Sequence, residues 1–551
     1  MRKNIYSFFF TLALLICCSL AIRAQIIIEA ESGQLAEGAT IESDTRASGG
    51  RFVNLREGSL ELSYTITQEG FYDIYIRVAA PFGEKHNYFY LNDHSTSFYL
   101  PENPNYISLK VANTVYLYPG ITTFSFQKNW GWINIDYVEL IGVSASERFN
   151  VNTELVTPNA SPEAKSLYKF LYDNYGEKII SGVMTLEPFD MSNWLKAQTG
   201  KEPALLGLDL MHCNRNYTWY NDNEPIENAT TWYGRNGIPI MAWHWRDPSR
   251  QTENFYRNEN DASKNTSFDI TKIFEPASPE YQAMINDIDA TALLLKKLTN
   301  DNVPLLWRPL HEAAGGWFWW GKDAAACKKL YQIMFDRMVN LHGLNNLIWV
   351  WTREPSDDAW YPGDEYVDIV GMDIYRQGDH GSYVLDFNIS NETYDRKKII
   401  ALSECGSFPD VDNLIHDKAA WSWFMPWYGD FTTSPAFNSL ELWKKMFDSE
   451  YVITLDEMPD LKNYGEVVSA TQGTAKSGFI IRPTLISDYT TIESGSEAIT
   501  NIRIVSATGM PADSYQYSSG QTSVMLPMAH LAQGVYMVII NGRHTTRIIK
   551  N

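Results

Sequence analysis

Residues 303–310, Val303-Pro304-Leu305-Leu306-Trp307-Arg308-Pro309-Leu310, form a short apolar run between two helical stretches, Ser278–Thr299 and Asp323–Leu341. A buried strand flanked by helices is the unit of a parallel α/β sheet. Seven more runs of this kind follow one another along the chain: Ile179–Met184, Ala204–Leu210, Ile238–Trp245, Asn346–Thr352, Val367–Tyr375, Lys398–Ser403 and Trp421–Trp427. Eight such runs predict a (β/α)8 TIM barrel over residues 150–470. In that architecture the chemistry gathers at the C-terminal ends of the strands.

The flanks read differently. From Gln25 to Val143 short alternating runs such as Leu60-Glu61-Leu62-Ser63-Tyr64 are separated by Gly, Asn and Pro turns, which predicts an N-terminal β-sandwich of jelly-roll type. Polar residues 143–160 read as a linker, and residues 476–551 as a small C-terminal β-sandwich. The protein is thus expected to be multidomain, as its 551 residues require.

Lys and Arg total 45 against 66 Asp and Glu, a net charge of −21, so no nucleic-acid partner is expected. Eighteen Trp and 32 Tyr suit either stacking on sugar rings or an aromatic core. Arg2 and Lys3, an apolar run from Ile5 to Ile22, and Ala24 before Gln25 have the form of a secretory signal over residues 1–24. Cys17 and Cys18 raise a lipoprotein alternative, against which stand the bulky Leu14-Leu15-Ile16. The mature chain is expected to be exported, without a membrane span, and monomeric. It keeps Cys213, Cys327 and Cys405, an odd set that implies no disulfide framework.

The barrel runs end in a distinctive set of side chains. Run two ends at Asp209, run three at Trp243-His244-Trp245, and run four at Arg308-Pro309-Leu310-His311-Glu312, with Trp317, Trp319 and Trp320 just beyond. Run six ends at Asp373-Ile374-Tyr375, run seven at Glu404, and run eight carries Trp423 and Trp427. Two carboxylates from strands four and seven would face each other across the pocket, as glycosidic cleavage requires. Either Glu alone could equally be a salt-bridged strand-end residue, with Arg308 as a nearby partner.

Trp307-Arg308-Pro309-Leu310-His311-Glu312, Gly315-Gly316-Trp317-Phe318-Trp319-Trp320-Gly321 and Leu402-Ser403-Glu404-Cys405-Gly406 resemble glycoside hydrolase family 26, whose members are mostly endo-β-1,4-mannanases. The resemblance implies Glu312 as general acid/base, Glu404 as nucleophile, and a retaining double displacement with no catalytic cofactor. It also places His244, His311, Trp317, Tyr375 and Trp427 around the cleaved sugar, although a satisfied structural role remains an alternative for each His. The implied substrate is a plant β-mannan. Action on β-1,3-xylan or mixed-linkage β-glucan, exo-release of mannobiose, and a surface glycan-binding protein without catalysis are the alternatives.

Ile28-Glu29-Ala30-Glu31, Ala47-Ser48-Gly49-Gly50-Arg51 and Trp130-Gly131-Trp132-Ile133-Asn134-Ile135-Asp136 resemble carbohydrate-binding modules of families 35 and 6. That resemblance implies a structural calcium, with Glu29, Glu31 and Asp136 as expected ligands, and sugar contacts at Trp130 and Asn134. Ile481-Arg482-Pro483-Thr484-Leu485 and the ending Gly534-Val535-Tyr536 to Asn551 resemble a type IX secretion sorting domain, with Arg482-Pro483-Thr484 in place of the usual Pro-Asn-Pro. Secretion or display on the outer-membrane surface is implied, with the periplasm as an alternative.

Overall fold

A computed structural model describes residues 25–92, 94–213, 224–257, 260–465, 479–482, 485–486, 489–494, 498–506, 510–542 and 544–550. The signal-like segment with Cys17 and Cys18 lies outside the described residues, as do Pro483 and Thr484 of the tail motif. The chain divides into two compact units, with the boundary after Gly465.

The first unit begins with two antiparallel sheets. One orders strands 40–43, 51–55, 133–143, 70–80 and 103–117, with 25–29 added along 133–143; the other orders 34–36, 59–66, 120–130, 85–91 and 94–100. Alternation decides their inner faces: Leu60 and Leu62 are buried while Glu61 and Ser63 point outward. Phe89, Phe124, Phe126, Ile133, Ile135 and Val138 fill the space between the sheets.

The barrel follows. Its eight parallel strands are Ile179–Met184, Leu205–Asp209, Ile238–Ala242, Leu305–Arg308, Leu347–Arg353, Ile369–Ile374, Ile399–Cys405 and Trp423–Pro426. Strand one pairs with strands two and eight, which closes the sheet. All eight expected runs are strands, most of them trimmed by a few residues where the chain leaves the sheet to build the pocket. Between them lie helices such as Pro279–Asn300, whose N-cap Ser278 accepts a hydrogen bond from the Tyr281 N–H, and Ala324–Phe335, capped in the same way by Asp323. Among the described residues ten Trp are fully buried, so the aromatic abundance is first of all a matter of core packing.

Residues 143–160 are not a free linker. The backbone N–H groups of Asn150 and Asn152 donate to the carbonyls of Arg396 and Lys397, and Val156 N–H donates to Asp368. Arg148 is buried, lies over the rings of Phe71 and Phe149 at 4.6 and 4.8 Å, and donates to the Lys418 carbonyl. The segment's polarity, read as solvation, is used instead for hydrogen bonds that fasten the sandwich to the barrel. Arg148→Ala is expected to destabilise this unit by about 1–3 kcal/mol, because it removes a ring-stacked donor and orphans a carbonyl. A lower melting temperature by calorimetry checks this.

The second unit has a three-stranded sheet, 479–482, 489–494 and 523–527, and a five-stranded one, 485–486, 544–550, 534–540, 499–506 and 511–521. Ile492, Ile502, Ile504, Leu526, Val538 and Ile548 form its core, consistent with the expected small sandwich.

Candidate active site

Strand four delivers the first carboxylate by an unusual backbone path. Leu310 and Glu312 both take left-handed conformations, φ 49° and 52°, which turns the chain sharply out of the strand and presents His311 and Glu312 to the pocket. Two glycines make the following loop fit: a Cβ on Gly315 would lie 2.1 Å from the Trp317 ring, and one on Gly321 would lie 2.0 Å from the Ala313 carbonyl oxygen. The loop returns Trp317 so that its indole N–H donates to Glu312 Oε2 at 2.9 Å.

Glu404, at the end of strand seven, is 4% exposed. Tyr375 donates its hydroxyl to Glu404 Oε2 at 2.8 Å, and Arg308 forms an ion pair with Oε1. Arg308 is completely buried and also holds Asp373 at 3.0 Å and the Thr352 hydroxyl at 2.8 Å, while Ser403 donates to Asp373 at 2.6 Å. One oxygen from each of Glu312, Asp373 and Glu404 lies within 4.8 Å of the others. Three carboxyl groups this close cannot all carry charge at low cost. Arg308 is ion-paired to both Glu404 and Asp373, whereas Glu312 has no such partner among the described residues. Burial first, then the negative field of Asp373, push the Glu312 carboxyl up to about 8. The site therefore holds one protonated and one ionised Glu near neutrality, the complementary pair that acid and nucleophile require.

The side chains expected around the sugar divide into a half-buried Trp and a buried pair of His. Trp427 is half-buried, its ring 5.9 Å from that of His244, whereas Trp423 is sealed in the barrel wall. His244 and His311 are both buried and hydrogen-bonded to each other. Burial first, then the Arg308 charge, hold the His311 imidazole well below its ordinary range, so it is neutral. Tyr375 is held well above its usual range by burial and by Asp373 and Glu312, so it remains a donor to Glu404.

Comparison with known proteins agrees with this geometry. Residues 156–457 match the family described as Glycosyl hydrolase family 26, 26–143 match Carbohydrate binding module (family 35), and 483–551 match Secretion system C-terminal sorting domain. The chain is 36% identical, over 78% of its length and 90% of the relative's, to a mannan endo-1,4-beta-mannosidase of Thermothelomyces thermophilus.

The chain belongs to glycosyl hydrolase family 26.

A Piromyces relative, mannan endo-1,4-beta-mannosidase B, is 35% identical over 79% of this chain and 77% of its own. Among solved structures, a two-domain family 26 and family 35 β-(1,4)-mannanase of Podospora anserina is 34% identical, with TM-score 0.55, covering 80% of this chain and 99% of that one. A ruminal family 26 endo-β-1,4-mannanase is 27% identical with TM-score 0.66, covering 79% and 98%. The enzyme is thus a glycoside hydrolase joined to a family 35 module.

Four residues of this site were left without a role by the sequence. Arg308 was weighed only as a generic ion-pair partner, and Asp373 and Asp209 only as strand ends; each turns out to hold another member of the site. Glu354, just past strand five, was not singled out. Burial, Asp373 and Asp357 push its carboxyl up to about 8, and it adds in turn to the field that raises Glu312. A carboxylate directly after a barrel strand was the signal that would have found it.

In the module, Trp130 is 60% exposed at the end of its strand, and Asn134 lies in the facing strand with its side-chain oxygen buried and unpartnered. Phe82, also exposed, packs on Trp132 at 4.4 Å between ring centroids. Of the three expected calcium ligands, Asp136 is fully buried, with one oxygen accepting from Ser48 N–H and the other paired to Arg77. Glu29 accepts from the Ser48 hydroxyl and Glu31 faces Arg51, but each keeps a second buried oxygen with no partner.

Proposed function

We propose that the protein is an exported, retaining endo-β-1,4-mannanase that hydrolyses mannan, glucomannan or galactomannan by double displacement. The observation that carries the retaining chemistry is the close approach of Glu312 and Glu404, with oxygens within 4.8 Å. Inversion would need roughly 6.5–9.5 Å between the carboxyl groups to admit a water, whereas retention uses about 5–5.5 Å.

In the first step a Glu404 oxygen attacks the anomeric carbon, the glycosidic bond breaks, and Glu312 gives its proton to the departing oxygen. Arg308 and Tyr375 keep Glu404 ionised and aimed. The product is a glycosyl ester on Glu404 and a Glu312 carboxylate. In the second step that carboxylate takes a proton from water, the resulting oxygen attacks the same carbon, and Glu404 leaves as a carboxylate. Two inversions give net retention.

The family 35 module would hold the polymer through Trp130 and Asn134 and so raise the local substrate concentration for the barrel. Among the described residues no helix is long and apolar enough to cross a membrane. The sorting-domain match supports passage across the outer membrane to the surface or the medium.

Reducing-sugar release from galactomannan, glucomannan, mixed-linkage β-glucan and β-1,3-xylan tests the substrate. Cleavage of the mannans to mixed short oligosaccharides is expected; mannobiose alone would make the enzyme exo-acting, and inertness on all four would return the protein to a binding role.

The two orphaned oxygens of Glu29 and Glu31 fit a hard cation. They are the residues that would hold a structural calcium, beside an Asp136 already occupied by Arg77. Chelation is expected to lower the module's melting temperature, and calcium at 100 times its Kd to restore about 2.7 kcal/mol, read by calorimetry.

A further inference from the structure

Asp209, at the end of strand two, is hydrogen-bonded to the first ring of the histidine pair. Its Oδ1 accepts from the backbone N–H of His244 at 3.0 Å and of Met211 at 2.9 Å, which fixes the carboxylate with Oδ2 facing His244 Nδ1. His244 Nε2 then meets His311 Nε2 at 3.2 Å. Two facing ring nitrogens hydrogen-bond only if one carries a proton and the other a lone pair. Three of the pair's four nitrogens are thereby engaged. The fourth, His311 Nδ1, is buried without a protein partner, one residue before Glu312.

Asp209 is itself ionised: burial opposes its charge, but the hydrogen bonds it accepts from His244 and Met211 hold its carboxyl below the ordinary range. An ionised carboxylate can only accept, so His244 carries a proton on Nδ1. Phe255, Phe318 and Trp427 pack around that ring, at 5.0, 5.5 and 5.9 Å between centroids.

We propose that Asp209 is a positioning residue that holds His244 as the neutral Nδ1–H tautomer, makes His311 the Nε2–H tautomer, and so leaves His311 Nδ1 as the lone-pair acceptor for a hydroxyl of the reacting sugar. The sugar contact rests on the glycosidase reading of the site; the tautomer pattern does not.

Asp209→Asn tests it sharply. The two backbone donors keep the amide oxygen, so the amide nitrogen turns toward His244 Nδ1 and can only donate. His244 must then become Nε2–H, His311 must accept at Nε2, and His311 Nδ1 changes from acceptor to donor. Substituting the orienting carboxylate by its amide installs the wrong tautomer while keeping the shape.

Histidine-selective ¹⁵N NMR of the full chain reads the tautomers directly, with His244→Gln and His311→Gln assigning the signals. The expected wild-type pattern is Nδ1–H at His244 and Nε2–H at His311, inverted at both rings in D209N. On mannan kcat/KM should fall by about 10²-fold or more with an unchanged melting temperature, the scale of one misdirected hydrogen bond at a reacting centre. A wild-type spectrum with His244 cationic or Nε2–H overturns the assignment without any activity assay. Inverted tautomers with unchanged kcat/KM overturn the positioning role. If D209N melts well below the wild type, the wild-type spectrum decides. Wild-type protein inactive on mannan would refute the substrate reading alone.

Discussion

Glu404→Ala is expected to lower kcat on mannan by about 10⁴-fold or more, with binding to the insoluble polymer retained, because it removes the atom that forms the covalent intermediate. The loss exceeds that of any wall residue, since no neighbour can substitute. Asp373, the other carboxylate within reach, is held back on Arg308 and Ser403. Arg308 would lose one of its anionic partners but keep Asp373, so the variant should fold; Glu404→Gln keeps the volume and serves as the control. Reducing-sugar release measures the loss. Azide, small enough to enter the vacated space, should partly restore turnover with a product of inverted configuration. Unchanged kcat in both variants would remove Glu404 from the reaction.

The second large effect concerns Glu312. Its carboxyl, pushed up to about 8 mainly by burial, must hold a proton to serve as acid, so the sign is fixed. Activity should persist through neutrality and fall on the alkaline side as pH rises through about 8, roughly tenfold per pH unit beyond it. Glu312→Gln keeps the hydrogen bond from Trp317 but has no proton to give, and should lose about 10²–10⁴-fold on mannan together with the alkaline limb. Aryl mannosides with a good leaving group need no protonation and should largely recover the first step. A pH–rate profile of wild type and variant on both substrate types checks this. An alkaline limb that survives the substitution would assign it to another group, Glu354 first among them.

The positions of the chemistry were legible because they are local. Each barrel strand announces itself as an apolar run, so the strand ends near Glu312, Glu404 and Tyr375 could be located, while the choice of Trp427 over Trp423 came from the resemblance to family 26. The sandwich was legible for the same reason, since alternation at Leu60 to Leu62 fixes which side is buried. The segment 143–160 misled because polarity by itself does not say whether a group bonds to water or to protein. Its donors meet carbonyls about 250 residues away in the chain, at Arg396 and Lys397.

The sequence by itself determined the order of the three domains and the eight strands, and it pointed to Glu312 and Glu404 at the ends of the fourth and seventh. Only the tertiary structure decided which group each of them answers to: that Arg308 charges Glu404, that Trp317 touches Glu312, that Asp136 belongs to Arg77, and that Asp209, 35 residues before His244, sets its tautomer. The physical reason is that strand identity follows from local patterning, while hydrogen bonds and ion pairs between strand ends exist only once the barrel has closed and removed the water that would otherwise satisfy each group separately.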